Sequence, residues 1–92
     1  MNAPAGVWEL NGVLDLESIP GLWVEMANRI RSRDKLDVSL ARVERASSAA
    51  LALLLQGLEE SRKVKCQLRY VDIPEDLLAL ARVSNVEKLL LS

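Results

Sequence analysis

Two adjacent serines, Ser47 and Ser48, are the residues of this sequence whose type and position could most readily support chemistry. They directly precede the longest apolar run, Ala49 to Leu55, so either one can be the N-cap of a helix that begins there. A hydroxyl at a helix start faces unpaired backbone N–H groups and the positive end of the helix dipole, which together stabilise an anion or a phosphate group. Capping alone also explains a serine at this position, so both roles remain open.

The rest of the composition offers these serines no catalytic partner. The chain contains no His, which is the commonest general base near neutral pH and the commonest metal ligand. Neither Ser47 nor Ser48 is followed by a lysine at the Ser-x-x-Lys spacing that can activate a serine nucleophile. The four glycines are scattered, so they form no dinucleotide-binding or phosphate-loop motif. We therefore expect a protein that is not an enzyme and that holds no metal ion or cofactor.

Charge and cysteine content indicate the compartment and the class of partner. With 12 Lys and Arg against 13 Asp and Glu, the net charge of -1 provides no basic surface for nucleic acid. The single Cys66 cannot form an intramolecular disulfide, which favours a reducing compartment. The N-terminus lacks a basic leader, and the longest apolar run is far shorter than the roughly 20 residues of a membrane helix. We expect a soluble, cytoplasmic protein with no nucleic-acid partner and no direct membrane insertion.

The strands that must position the serines are predicted from apolar alternation. Leu36–Leu40 is typical of a core strand, and the charged segment Arg42–Arg45 is predicted to be a loop that leads to the serines. Val64–Tyr70 alternates apolar and polar residues, which predicts another strand with Cys66 in its buried row. Near the N-terminus, Asn11-Gly12 between short apolar segments predicts the turn of an antiparallel hairpin.

The predicted helices alternate with these strands. The helix after the serines is expected to end near Arg62 and to bury a leucine stripe, with Leu53 on the opposite, exposed side. A further helix is predicted from the capping-box spacing of Asp72 and Glu75, and Val86–Leu91 is predicted to form a helical turn and a short edge strand. The expected leucine stripe consists of Leu51, Leu54, Leu55 and Leu58, and an earlier amphipathic helix capped by Ser18 has Ile19, Leu22, Trp23, Met26 and Ile30 on its apolar face.

Alternation of strands and helices predicts an α/β fold in which helices pack against a mostly parallel sheet. Because the chain shows no linker, repeat or low-complexity tract, residues 1–92 are expected to form a single domain. The elements counted along the sequence predict a mixed sheet of four to five strands.

One segment resembles a known family. Leu36–Leu40, the charged loop and then Arg45-Ala46-Ser47-Ser48-Ala49-Ala50-Leu51 are similar to the STAS domain signature, a strand and a loop with Asp-Ser-x-Gly-Leu that opens a helix. Tyr70–Pro74, followed by Leu77 and Leu80, resembles that family's later strand and third helix. The resemblance covers essentially the whole chain and is strongest to the MlaB branch, the STAS subunits of Mla phospholipid-transport ABC systems in Gram-negative bacteria. It implies a SpoIIAA-like fold.

The resemblance also assigns roles to the residues around the serines. Aligned on Leu51, the acidic residue of the family falls at Ser47, and the serine phosphorylated in anti-sigma-factor antagonists falls at Ala49. Ser48 matches a hydroxyl residue that the Mla subunits carry as Thr in their ATPase contact region. The family's Gly falls at Ala50, and loss of the phosphorylated serine, the acidic residue and this Gly favours a constitutive binding surface over a kinase-controlled switch. The expected partner-binding residues are Arg45, Ser47, Ser48, Ala49, Ala52, Leu53 and Gln56.

The function implied by this resemblance is that of a non-catalytic subunit. We expect it to bind an MlaF-like ABC ATPase within a complex that contains a membrane permease, and so to be peripheral to the inner membrane through its partner. Such a subunit supports assembly and activity of a transporter that maintains outer-membrane lipid asymmetry. The alternative is an anti-sigma-factor antagonist switched by phosphorylation of Ser48 or Ser47.

Overall fold

The computed structural model describes residues 7–91, in which strands and helices alternate along the chain. The strands are β1 (Val7–Leu14), β2 (Lys35–Ala46) and β3 (Gln67–Val71), and the helices are α1 (Ile19–Arg31), α2 (Ser48–Val64), α3 (Glu75–Val83) and α4 (Glu87–Leu91). The strands form one sheet in the order β1-β2-β3, and both neighbouring pairs are parallel. The predicted α/β class with helices against a parallel sheet is confirmed.

The predicted number of strands is wrong, because the described residues form three strands rather than four or five. The expected hairpin at Asn11-Gly12 is absent, and β1 continues through it because the segments on both sides pair with β2. Gly12 has a φ of 80°, a conformation that favours glycine, and the register shifts directly after it. The predicted C-terminal edge strand is also absent, since that segment forms α4.

Strand β2 is longer than predicted, because it includes the charged segment Arg42–Arg45 that was expected to be a loop. Arg42 pairs with Asn11, and Arg45 pairs with Val13, so β1 supplies backbone partners regardless of the polar side chains. These arginines are exposed, which lets a strand carry charge without burying it. The strand therefore extends to the residue before Ser47.

Helices α1 and α2 lie side by side on one face of the sheet, as right-handed connections between successive parallel strands require. The facing side chains of β2 are fully buried, whereas the opposite face is polar and carries an ion pair of 3.0 Å between Arg69 and Asp37. The core consists of aliphatic side chains from strands and helices, among them Leu10, Leu14, Leu36, Val38, Leu40, Met26, Ile30, Leu54, Leu77 and Leu90.

Tyr70 is the aromatic side chain at the centre of the contact between β3 and α2. Its buried hydroxyl donates a hydrogen bond of 2.7 Å to the backbone carbonyl of Leu54. Burial raises the pKa of the Tyr70 hydroxyl far above its ordinary value, so the group remains a neutral donor. Gly57 lies beside this hydroxyl, where a larger residue would overlap it. The absence of a side chain at Gly57 thus allows α2 to approach the sheet closely.

Two local predictions, one on each side of β3, have different outcomes. Cys66 is buried as predicted, and burial together with the charge of Asp34 raises the pKa of its thiol. The capping box is wrong: Pro74 is the N-cap of α3, and the Asp72 carboxylate instead accepts a hydrogen bond of 3.4 Å from the Ser39 hydroxyl. Asp72 has a φ of 56°, so the chain turns sharply here before the helix begins. Across residues 7–91, no helix is both long and apolar enough to span a membrane.

Candidate functional site

Ser47 connects the end of β2 to the start of α2, at the carboxyl edge of the sheet where parallel α/β proteins commonly bind their ligands. It has extended backbone angles, φ −94° and ψ −179°, and its hydroxyl accepts a hydrogen bond of 3.2 Å from the Ala49 N–H. Its own N–H donates to the carbonyl of Leu14 over 3.1 Å. Ser47 is therefore the N-cap, which answers the question that the sequence left open between the two serines.

Ser48 is the first residue of α2 and has a different environment. Its side chain is exposed, and within residues 7–91 its hydroxyl takes part in no hydrogen bond. The first turn of α2 contains no acidic residue, so no carboxylate of that turn offsets the positive end of the helix dipole. Ser48 thus presents a free hydroxyl beside the positive end of the α2 dipole.

Three of the expected partner-binding residues share one exposed face. Arg45 is exposed too, but it belongs to β2, two residues before Ser47. Ser48, Ala52 and Gln56 follow one another at successive turns of α2 and are all exposed. We call these three residues the α2 face. Ala49 is half-buried at its side. The first two turns of this face carry no charged side chain, a composition that suits the core of a protein–protein contact.

Leu53 does not belong to the α2 face, and its predicted exposure is wrong. Its side chain is 1% exposed and belongs to the hydrophobic core. Leu53 lies seven residues before Glu60, hence on the same side of α2, and Glu60 forms an ion pair of 2.8 Å with Arg31 of α1. That side of α2 therefore faces α1, which covers Leu53.

The predicted leucine stripe was rotated relative to the observed one. Leu51 and Leu54 are buried as expected, but Leu55 and Leu58 are only half-buried. A single apolar stripe corresponds to a helix that packs on one side only. In the structure, α2 packs against the sheet and also against α1 on one flank and α3 and α4 on the other. The buried face also contains the small residues Ala50, Gly57 and Ser61, which let the neighbouring elements approach α2 closely.

The loop between β1 and α1 contains a feature that the sequence analysis missed. Leu16 is 80% exposed, and Val13 at the end of β1 is 44% exposed. The loop lies next to the start of α2, because the Leu14 carbonyl accepts the hydrogen bond from the Ser47 N–H. The sequence did contain a signal. Asp15-Leu16-Glu17-Ser18 is a turn-forming segment, and Leu16 is not part of the apolar pattern of a neighbouring helix or strand.

The chemistry available at this site is recognition. Within residues 7–91, neither serine hydroxyl bonds to a carboxylate or an amine that could activate it as a nucleophile. The same described residues contain no cluster of His, Cys, Asp or Glu that could hold a metal ion. What the site does present is a helix start with exposed small, polar and cationic side chains and an adjacent exposed leucine.

Comparisons with known proteins agree with this architecture. A family profile described as "Mlab, STAS domain" matches residues 2–92. No curated protein sequence matches the chain. Among solved structures, the anti-sigma factor antagonist SpoIIAA in its unphosphorylated form superposes with a TM-score of 0.73 at 15% sequence identity, covering 89% of this chain and 73% of that chain. At that identity the likeness concerns the fold alone.

Proposed function

This chain belongs to the STAS domain family, in the branch described by MlaB, and on that premise we propose that it is a non-catalytic subunit of a phospholipid-transport ABC transporter. In this proposal it binds the ATPase subunit, an MlaF-like protein, and supports its assembly and activity in a complex with a membrane permease. The subunit is cytoplasmic and is held at the inner membrane by its partner. The transporter it serves maintains the lipid asymmetry of the outer membrane.

The observation that carries this proposal is the α2 face. Ser48, Ala52 and Gln56 are exposed on successive turns, yet none of them is charged. Solvated helix faces usually carry charged residues, and α2 does so further along, at Glu59, Arg62 and Lys63. A face that is uncharged only near the helix start fits a contact from which water is excluded, with Ala52 at its centre.

We predict that Ala52→Glu weakens binding of the ATPase subunit by about tenfold or more, since a carboxylate placed in a packed contact loses its hydration without gaining a partner. Isothermal titration of the purified protein with the ATPase subunit of the Mla-type transporter from the same organism measures the effect. Val24→Glu is the matched control, because Val24 is 60% exposed on α1, away from the α2 face. Equal affinities for the two variants would exclude Ala52 from the contact.

A second candidate function is favoured by one observation, the free and exposed hydroxyl of Ser48. A phosphate there would be stabilised by the N-terminal N–H groups of α2, as in an anti-sigma-factor antagonist that is switched by phosphorylation. Ser47 is the less suitable acceptor, because its hydroxyl caps the helix and also donates to the Leu14 carbonyl over 3.4 Å. Ala49, at the position of the family's phosphorylated serine, has no hydroxyl.

Intact-mass measurement after incubation with cell extract and ATP separates the two functions. For the transporter subunit we expect an unchanged mass, since its binding surface requires no modification. A mass increase of one phosphate that disappears in Ser48→Ala, but not in Ser47→Ala, would support the antagonist instead. The two alanine variants control for each other, because they differ only in which hydroxyl remains.

A further inference from the structure

The loop that carries Leu16 is fixed by hydrogen bonds from its other residues. The Asp15 carboxylate accepts from the N–H groups of Glu17 and Ser18, both over 3.1 Å. The Ser18 hydroxyl accepts from the Asp15 N–H and donates to the Val13 carbonyl, both over 3.0 Å. These bonds join residues between Val13 and Ser18, and none of them involves the side chain of Leu16.

Leu16 therefore has an exposed apolar side chain that contributes nothing visible to folding. It is 80% exposed, whereas Leu14, two residues earlier, is fully buried in the core. Any small polar residue would serve the turn equally well and would avoid contact of an aliphatic side chain with water. Because the backbone beneath it is already ordered, burial of Leu16 against a partner would cost rotamer entropy of its side chain but little further backbone entropy.

The loop that carries Leu16 adjoins the start of α2. Hydrogen bonds from the Ser47 N–H and hydroxyl to the Leu14 carbonyl fix the loop to the helix start. Across the strands, Val13 pairs with Arg45, so an exposed apolar residue at the end of β1 adjoins an exposed cation that precedes α2 by three residues. No carboxylate within residues 7–91 forms an ion pair with Arg45.

We propose that Leu16 is the apolar anchor of the ATPase-binding surface and that it inserts into an apolar pocket of the ATPase subunit. The pocket is bordered by an acidic side chain, which pairs with the exposed Arg45 beside the positive start of α2. This inference rests on the proposed function and adds to it the loop residue and the chemistry of the partner's pocket. Well-packed pockets from which water is excluded are where interface hot spots cluster, and this is the environment that we propose for Leu16.

The test is the affinity of Leu16→Ser for the purified ATPase subunit, measured by the same titration. We expect a loss of about 10- to 100-fold, the change that corresponds to leaving one leucine side chain unburied. Val83→Ser is the matched control, because Val83 is 84% exposed but ends α3, which runs away from the carboxyl edge of the sheet. Thermal unfolding midpoints of both variants should equal that of the wild type.

The outcomes separate this inference from the proposed function. Weaker binding by Leu16→Ser, with Val83→Ser unchanged, supports the anchor. Wild-type affinity of Leu16→Ser, with binding still weakened by Ala52→Glu, overturns the anchor and leaves the proposed function in place. Failure of the wild-type protein to bind the ATPase subunit at all overturns both.

Discussion

Leu53→Glu is expected to unfold the domain or to lower its free energy of unfolding by about 5 kcal/mol, which is comparable with the total stability of a small domain. Leu53 is 1% exposed between α2 and α1, so a carboxylate there would lose its hydration. The two arginines in the last turn of the neighbouring helix already have carboxylate partners, since Arg31 is paired with Glu60 and Arg29 with Glu25. Protonation of the new carboxyl would relieve only part of the cost, because an unpaired acid group would remain buried.

Urea denaturation followed by circular dichroism measures this change, and the adjacent residue provides the control. Ala52→Glu adds the same side chain one position earlier, on the α2 face, and is expected to leave the unfolding midpoint nearly unchanged. The two variants thus differ only in the side of α2 that receives the charge. If Leu53→Glu were as stable as the wild type, Leu53 would lie on the exposed side of α2, as the apolar pattern alone predicts.

Gly57→Ala is expected to lower the free energy of unfolding by about 2 kcal/mol, although alanine is the better helix former by about 1 kcal/mol. A methyl group at Gly57 would overlap the Tyr70 hydroxyl and come within 2.9 Å of Met26 Sδ. The methionine can adapt, but the tyrosine hydroxyl is held by its bond of 2.7 Å to the Leu54 carbonyl. The strain therefore displaces α2 from the sheet or breaks that bond.

Tyr70→Phe tests the cause of this effect. Alone, it should cost about 1 kcal/mol, because it removes one buried hydrogen bond. The double variant with both substitutions should be more stable than Gly57→Ala alone, since the hydroxyl that overlaps the methyl group is gone. Denaturation of the four proteins in this double-mutant cycle measures the coupling. Additive losses would mean that the contact between Gly57 and the tyrosine hydroxyl does not limit the packing of α2.

The fold was predictable to the extent that local apolar patterns determined it. Leu36–Leu40 and the helix after Ser47 lie where alternation and capping predicted them, because both patterns reflect burial on one side of an element. Asn11-Gly12 misled the prediction because turn chemistry is local, whereas pairing of β1 with β2 on both sides of the glycine is a tertiary interaction. Charged Arg42–Arg45 misled it because a strand with one open face accommodates charge.

The sequence predicted which segment contains the candidate site, but not which side of α2 each of its residues occupies. The start of α2 and the exposure of Ser48, Ala52 and Gln56 agree with the sequence analysis. Leu53 was placed on the wrong side because a helical wheel contains no information about how many neighbours a helix has, and α1 covers that side. Leu16 was missed because apolar periodicity guided the predictions, and a lone leucine in a turn-forming segment belongs to no apolar period.

Affinity purification of the tagged protein from its native organism, with mass spectrometry of the bound proteins, tests the central claim most directly. We predict that the wild-type protein and Val24→Glu enrich an ABC ATPase together with a permease. Ala52→Glu is expected to lose both, because in the proposed complex the ATPase connects this subunit to the permease. Enrichment of a serine kinase and a sigma factor, with no ABC ATPase, would contradict the claim and establish an anti-sigma-factor antagonist.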